Sequence, residues 1–394
     1  MARKKISAKV ITPVLLSFFV MSFIDLVGTG VDELKATVEI PTYILQLIPF
    51  VAFIWFFILS VPIGIWQDKI GKKKTLNVGI LMTALGLFLP LFGNNLPVIL
   101  VAFSVMGIGN TIIQVSANPL LVDVVPSGKA SSFMSFSQFL KSIGSMGGPF
   151  VAAVIGPWIA HLLGDNSAGA WRYGLYLFGV VSILSWLWLA SVHVEETRSE
   201  EHKATLSSCL KLLNNKFVLM MVMGIFLVVG IDVAMNSNIG TFLEQKLGID
   251  AETAKYGKSL YFFAKMIGTF AGAILLIKLP ARGFMIGSSL LALLSLIALA
   301  FAPNATAAWI IIFIISLGVS NIFPLIFSIT VGRLPERANE ISGLMMMMIS
   351  GGAIVPFLVG LTMSTWLSGG VFVLAACALY LLMTGFYISK DPVK

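Results

Sequence analysis

Gly64-Ile65-Trp66-Gln67-Asp68-Lys69-Ile70-Gly71-Lys72-Lys73-Lys74 is the stretch that decides how this chain folds. Ahead of it residues 43–66 are almost unbroken apolar sequence, and a second apolar run begins at residue 75. Runs of about 18 or more apolar residues read as helices that cross a membrane. A short basic turn between two such runs reads as a loop kept on one side of the bilayer by its positive charge.

The same habit extends along the chain. Of 394 residues, 58% are hydrophobic and 11% charged, and the mean hydropathy is +0.96. Soluble domains carry about 25% charged residues, so these charges are too few to solvate a soluble chain. The net charge of +8 does not point to nucleic acid, because the basic residues are dispersed among short loops. Cys209 and Cys377 are too few and too far apart for a disulfide framework. The basic start, Arg3 to Lys9, leads into an apolar run that holds Asp25 and is followed by a second span without a small-residue cleavage signature, so it reads as an uncleaved first helix.

Twelve spans are expected, near 11–31, 43–66, 75–92, 97–122, 131–160, 171–193, 216–243, 255–278, 284–302, 307–332, 341–364 and 368–388. Counting Lys and Arg gives nineteen on the side of the termini, five on the other side and two inside spans, which puts both termini in the cytoplasm. The longest polar stretch, 194–216, reads as a solvated linker. It divides the chain into six-helix bundles at 1–193 and 216–394, with a cytoplasmic linker at 194–215. The halves echo one another: Asp25 and Asp232 in the first and seventh spans, Asn118-Pro119 against Asn321 and Pro324, and Gly147-Gly148-Pro149 against Gly351-Gly352 and Pro356. Two parallel six-span repeats are a transporter architecture.

The Gly64-to-Lys74 stretch resembles the signature loop of the major facilitator superfamily, in which Gly, Asp, a basic residue, Gly and two basic residues recur at this spacing. That resemblance implies an all-α membrane protein with the major facilitator fold, twelve transmembrane helices in two six-helix pseudo-repeats. It also implies a gating motif of Gly64, Asp68, Gly71 and Lys72 at the cytoplasmic seam. A narrower resemblance follows over roughly the first 150 residues. Gly107-Ile-Gly109-Asn110 through Gln114 to Asn118-Pro119 resembles the fourth-span signature of the fucose permease family, proton symporters of fucose, galactose and glucose. Ser135-Phe-Ser-Gln138-Phe-Leu-Lys141-Ser-Ile-Gly144 is similar to its fifth-span stretch, and Pro62-Ile-Gly64 to the end of its second span. The chain departs from that family at three places. Gln114 stands where its fucose permeases have glutamate, Lys141 stands where they have asparagine, and their first-span aspartate aligns near Gly28 or Thr29, about one turn from Asp25.

Charges at membrane depth usually face a partner or a cavity. The four here are Asp25 and Lys141 in the first half and Asp232 and Lys265 in the second, an acid and a base in each. They read as ion pairs that tie helices together, or as sites for a coupling ion, with Asp25 and Asp232 as the candidates. Asn110, Gln114 and Asn118 recur every fourth residue on one face, and Ser135, Gln138, Lys141 and Ser145 form a second stripe. Such side chains serve as interhelical glue or match the hydroxyls of a monosaccharide, whose apolar faces pack on aromatic rings. The expected substrate-binding set is Gln114, Asn118, Gln138, Lys141, Asn110, Trp55, Tyr261, Asn236 and Asn321.

The function implied is alternating-access import of a neutral monosaccharide, a hexose or 6-deoxyhexose, across the cell membrane by a monomer. No cofactor is expected beyond a coupling proton or sodium ion. Two other cargoes fit the same architecture. Gly144, Gly148 and Pro149 resemble a fifth-span motif of drug/proton antiporters, although its glycine pair is here Ala152-Ala153, and Lys141 would suit an anionic sugar derivative. A nutrient sensor would need a larger cytoplasmic domain than this linker. An enzyme finds no support: His161, His193 and His202 lie near the membrane surface, and His-Glu-x-x-His, Gly-x-Ser-x-Gly and nucleotide-binding Gly-x-x-x-x-Gly-Lys stretches are absent from the sequence.

Overall fold

A backbone in lipid has no water to pair with, so each crossing segment must satisfy its own N–H and C=O groups as a helix. The computed structural model describes residues 8–27, 30, 47–93, 95–165, 169–196, 205–254 and 256–388; Gly28 and Thr29 lie outside them. Among the described residues there is no strand, and twelve helical spans follow in order. They are α1 (Ala8–Met21, ending in the 3-10 turn Ser22–Leu26), α2 (Leu47–Ile70), α3 (Lys72–Phe88), α4 (Leu96–Val124), α5 (Ala130–Phe150) and α6 (Arg172–Ser191). The second half supplies α7 (Lys216–Leu247), α8 (Tyr256–Leu275), α9 (Ala281–Ala300), α10 (Ala305–Val319, then Ile322–Arg333), α11 (Ala338–Met347, then Gly351–Thr365) and α12 (Leu367–Tyr387). Ten of the described helices are long and apolar enough to cross a membrane on length and composition alone. The other two spans, α5 and α8, are those that carry Lys141 and Lys265.

Asparagine starts the same helix in each half. Asn95 accepts from the Val98 N–H at the head of α4, and Asn304 accepts from the Ala307 N–H at the head of α10. Each supplies an acceptor for one of the orphan amides of a first turn. This correspondence supports the repeat more directly than the scattered Gly-Pro matches do.

Two compact units result. The first comprises Met1–Pro126, Leu140–Leu206 and Glu336–Met347; the second comprises Ser127–Phe139, Ser207–Pro335 and Met348–Lys394. The units therefore depart from the chain halves in the fifth helix of each repeat, since α5 and α11 both divide between them. In the first unit, Phe18, Phe23, Phe56, Phe103 and Trp171 are buried, with the Phe23 and Phe178 rings 4.3 Å apart. The initial part of α11 joins this core by a close crossing: a Cβ on Gly343 would meet Ser60 O at 2.9 Å and Val61 Cα at 3.2 Å on α2. In the second unit Phe242, Tyr261 and Phe327 are buried. The initial part of α5 is held there by Ser131, which shares a hydrogen bond with Ser328, and by Ser132, which donates to Ala273 O at 2.5 Å.

Within 194–216 several described residues make contacts. Val194 is buried, Glu196 bonds to the first unit, and the short helix Leu206–Leu212 buries Cys209 and Leu212. Residues 197–204 lie outside the described residues.

Candidate functional site

The signature loop is built around a backbone reversal. Gly71 has φ 97°, in the region where a side chain is strained, so α2 ends and α3 begins within one residue. The exposed N–H groups at the start of α3 require an acceptor. Glu196 supplies it, taking the N–H of Lys72 at 2.8 Å and that of Lys73 at 2.9 Å; its negative charge also suits the helix N-terminus. Lys72 then turns inward, 2% exposed, and its Nζ lies 2.6 Å from Asp123 Oδ2 on α4. The loop charges therefore do more than set topology. Asp68 Oδ1 accepts from Asn339 Nδ2 at 2.8 Å, and Asn339 stands at the start of α11. Gly64 completes this contact, since a Cβ there would meet Asn339 O at 2.8 Å. Asp123, Glu196 and Asn339 were not among the residues singled out from sequence. The pair of acids Glu195 and Glu196 after the sixth span is a signal for Glu196 alone.

If the Asp68–Asn339 contact forms and breaks during turnover, Asp68→Asn is expected to slow exchange while equilibrium substrate binding stays near wild type. Affinity and exchange rate measured on one preparation check this, and an unchanged rate removes the motif from the gating cycle.

The carboxamide ladder of α4 is largely engaged within the first unit. Asn110 Nδ2 donates to Met21 O at 2.6 Å, a carbonyl at the junction where α1 gives way to its 3-10 turn. Gln114 Nε2 donates to Asn110 Oδ1 at 2.9 Å, and Asn118 Nδ2 donates to Gln114 O at 2.6 Å. Asn110 is 0% exposed, Asn118 1% and Gln114 6%, so Gln114 keeps the most access. Asn118 Oδ1 is buried without a protein donor among the described residues. Trp55 is half-buried and donates from its indole to Ser104 Oγ at 2.9 Å, which fixes its ring beside α4. Gln138 is half-buried on α5.

Asp25 and Lys141 are not paired. Asp25 is exposed and accepts from Ser145 Oγ on α5, one turn beyond Lys141. Lys141 is half-buried, and its ammonium has no bond to another described residue. The expected face that would join Asp25 to Thr29 falls partly outside the described residues.

The second unit holds a made pair. Lys265 Nζ on α8 lies 2.6 Å from Asp232 Oδ2 on α7, with the two side chains 22% and 18% exposed. Tyr261 OH donates to Asp232 Oδ1 at 2.6 Å. Tyr261 is 0% exposed, so its ring is packing in this structure and offers no face for stacking. Asn236, one turn along α7, has a buried Oδ1 without a protein donor among the described residues. Asn321 sits at the break in α10 and donates from Nδ2 to Gly268 O at 2.8 Å; its Oδ1 is likewise buried and without a donor. The site residues thus fall into two sets. One is the α4 carboxamides with Asp25, Trp55 and Lys141 in the first unit, and the other is Gln138, Asp232, Asn236, Tyr261, Lys265 and Asn321 in the second.

This fold, with its paired repeats and its acid-glycine-base loop between α2 and α3, defines a secondary transporter rather than an enzyme. The chain belongs to the Major Facilitator Superfamily, whose family profile matches residues 14–356. It is 27% identical over 352 residues to the putative glucose/galactose transporter of Helicobacter pylori, covering 86% of this chain and 85% of that protein. It is 26% identical over 357 residues to the glucose/galactose transporter of Brucella abortus, covering 89% of this chain and 86% of the relative. The fold matches a crystal structure of the E. coli fucose:proton symporter with a TM-score of 0.83 at 19% identity, over 98% of this chain and all of the other. The likeness read from α4 and α5 thus extends through the second half, where the sequence motifs were silent.

A hydroxyl partner left unpaired typically costs about 1–3 kcal/mol, or roughly 5- to 150-fold in affinity. Gln114→Ala is expected to weaken substrate binding within that range. Binding titrations on Gln114→Ala, Asn118→Ala and Gln138→Ala check it, and wild-type affinity in all three would make the stripe a packing device.

Proposed function

We propose that this chain imports a neutral monosaccharide, a hexose or 6-deoxyhexose, across the cell membrane by alternating access. In this reading both termini are cytoplasmic, and a proton or sodium gradient supplies the energy. The observation that carries it is the likeness, over more than four-fifths of each chain, to two proteins named as glucose/galactose transporters. The carboxamide chemistry agrees, since Gln114, Asn118 and Asn236 offer acceptors and donors suited to sugar hydroxyls. The test is uptake of labelled hexoses and 6-deoxyhexoses into vesicles under an imposed proton or sodium gradient. Gradient-dependent accumulation of one of them supports the reading, and no uptake of any under either gradient ends it.

One observation favours a second cargo. The unpaired ammonium of Lys141 would suit the carboxylate of an anionic sugar derivative such as a hexuronate. Including hexuronates in the same panel, with Lys141→Gln beside the wild type, separates the two. The neutral-sugar reading expects hexoses to outcompete hexuronates in both proteins.

A further inference from the structure

We propose that the coupling ion is a proton carried by Asp232, and that Lys265 links its arrival to sugar binding; this rests on the transport reading above. Four observations converge on this cluster. Asp232 lies near the middle of α7, about 24 Å along a helix of roughly 48 Å at 1.5 Å per residue, which is the depth at which transporters place their sites. Its carboxylate is held at both oxygens, by Tyr261 OH on Oδ1 and Lys265 Nζ on Oδ2, each at 2.6 Å. The two holders differ in kind. Tyr261 is wholly buried and fixed, whereas Lys265 and Asp232 keep 22% and 18% of their surface accessible. One turn further along α7, Asn236 presents a buried carboxamide oxygen with no protein donor among the described residues.

The other groups on the packed elements sit elsewhere. On α10, Arg333 lies over the Phe217 ring, and on α12 Tyr380 donates to Met220 O. Phe217 and Met220 are twelve or more residues from Asp232, about 18 Å or more along the helix. Tyr256 and Lys258 stand at the start of α8, and Glu244 and Lys246 at the far end of α7. Cys377 and Tyr387 on α12, Lys216 at the head of α7 and Glu340 in the initial part of α11 are further titratable groups on these elements, and among the described residues no hydrogen bond joins any of them to Asp232. Asp232 therefore answers to Tyr261 and Lys265.

The linkage works by competition. With Asp232 ionised, the Lys265 ammonium is engaged by its carboxylate. A proton on Oδ2 removes that negative charge, Tyr261 still donates to Oδ1, and the ammonium gains donors for a sugar hydroxyl. The same sugar can donate to Asn236 Oδ1. Sugar bound to Lys265 in turn favours the protonated aspartate, because binding linkage is reciprocal. Proton and sugar then load together and leave together, the proton returning to water from the same oxygen. Asp25 differs: it is exposed, has no paired cation among the described residues, and takes a bond from a serine.

The experiment compares wild type, Asp232→Asn and Lys265→Gln in vesicles, with sugar exchange and gradient-driven accumulation read side by side. Asp232→Asn is expected to exchange sugar within about tenfold of wild type and to lose accumulation. Lys265→Gln should change the pH profile of exchange, which a lysine that only ties helices would leave in place. A second measurement does not depend on vesicle transport: sugar added to detergent-solubilised wild type should take up protons from a weakly buffered indicator solution, and sugar added to Asp232→Asn should take up none. A helix-tying role would move stability but neither the pH profile nor the proton count. Accumulation or proton uptake at wild-type level in Asp232→Asn overturns the proposal, as does wild-type accumulation that follows sodium at fixed pH. Wild type that exchanges none of the sugars overturns the transport reading itself.

Discussion

Lys72→Met is expected to be the most destabilising single charge change in the first unit. Lys72 and Asp123 are 2% and 9% exposed and 2.6 Å apart, so neither charge can exchange its partner for bulk water. Removing one member of such a pair typically costs about 3–5 kcal/mol, because the other charge stays buried without its counter-ion. The double variant Lys72→Met/Asp123→Leu removes both charges, and replacing a buried pair by apolar side chains is often neutral or better. Thermal unfolding of detergent-solubilised protein should therefore rank Lys72→Met well below both the wild type and the double variant. Equal stability of the single variant and the wild type would return Lys72 to the role of a topology charge. A loop whose charges only set topology predicts that outcome, which makes the comparison discriminating.

Gly343→Val is expected to have the largest effect on turnover. The crossing of α11 over α2 brings backbone to backbone: a Cβ at 343 would lie 2.9 Å from Ser60 O, 3.2 Å from Val61 Cα and 3.5 Å from Gly64 Cα. None of these atoms is the end of a flexible side chain that could turn aside. Overpacking of this kind costs about 1–3 kcal/mol. A cost confined to the conformation in which α11 meets α2 shifts the conformational equilibrium by roughly 5- to 150-fold. The same displacement would pull Asn339 from Asp68 and Ser342 from Val115 O, to which it donates at 2.6 Å. Exchange rates should fall by roughly 5- to 150-fold while the folded protein still binds sugar. A Gly343→Val protein that turns over like wild type would mean that the crossing is fixed throughout the cycle.

The architecture was legible because the bilayer leaves so little choice. Long apolar runs, the Lys and Arg distribution and the order of Asp, Asn-Pro and Gly-Pro marks are local properties, and the twelve spans follow from them. The site was legible in kind and less so in detail. Asp232 and Lys265 stand out as charges in apolar sequence, but their partnership depends on the facing of two helices and not on spacing. Asn110 looked like a free ligand group, yet the carbonyl it meets is set by the local 3-10 geometry of α1, 89 residues away. Tyr261 looked like a platform for a sugar ring, and its hydroxyl instead fixes a carboxylate. Glu196 sat in a stretch whose composition says solvent, while its position says that the amides of Lys72 and Lys73 are within reach. In each case the missing information was a contact between distant parts of the chain.

The 3-10 turn at Ser22–Leu26 gives α1 a property that an ordinary helix lacks. A 3-10 segment advances about 120° and 2.0 Å per residue, against about 100° and 1.5 Å in an α-helix. Rewinding the four residues from Ser22 to Asp25 would rotate the Asp25 side chain by about 80° about the helix axis and draw it back by about 2 Å. That screw motion would carry the carboxylate away from Ser145 while Met21 and everything before it stayed in place. The same change would replace the i+3 amide that a 3-10 turn gives Met21 O by the i+4 amide of an α-helix, beside the bond from Asn110. A change of pitch over one turn would thus be felt at once on α4 and α5, with α1 serving as a short torsion bar between them.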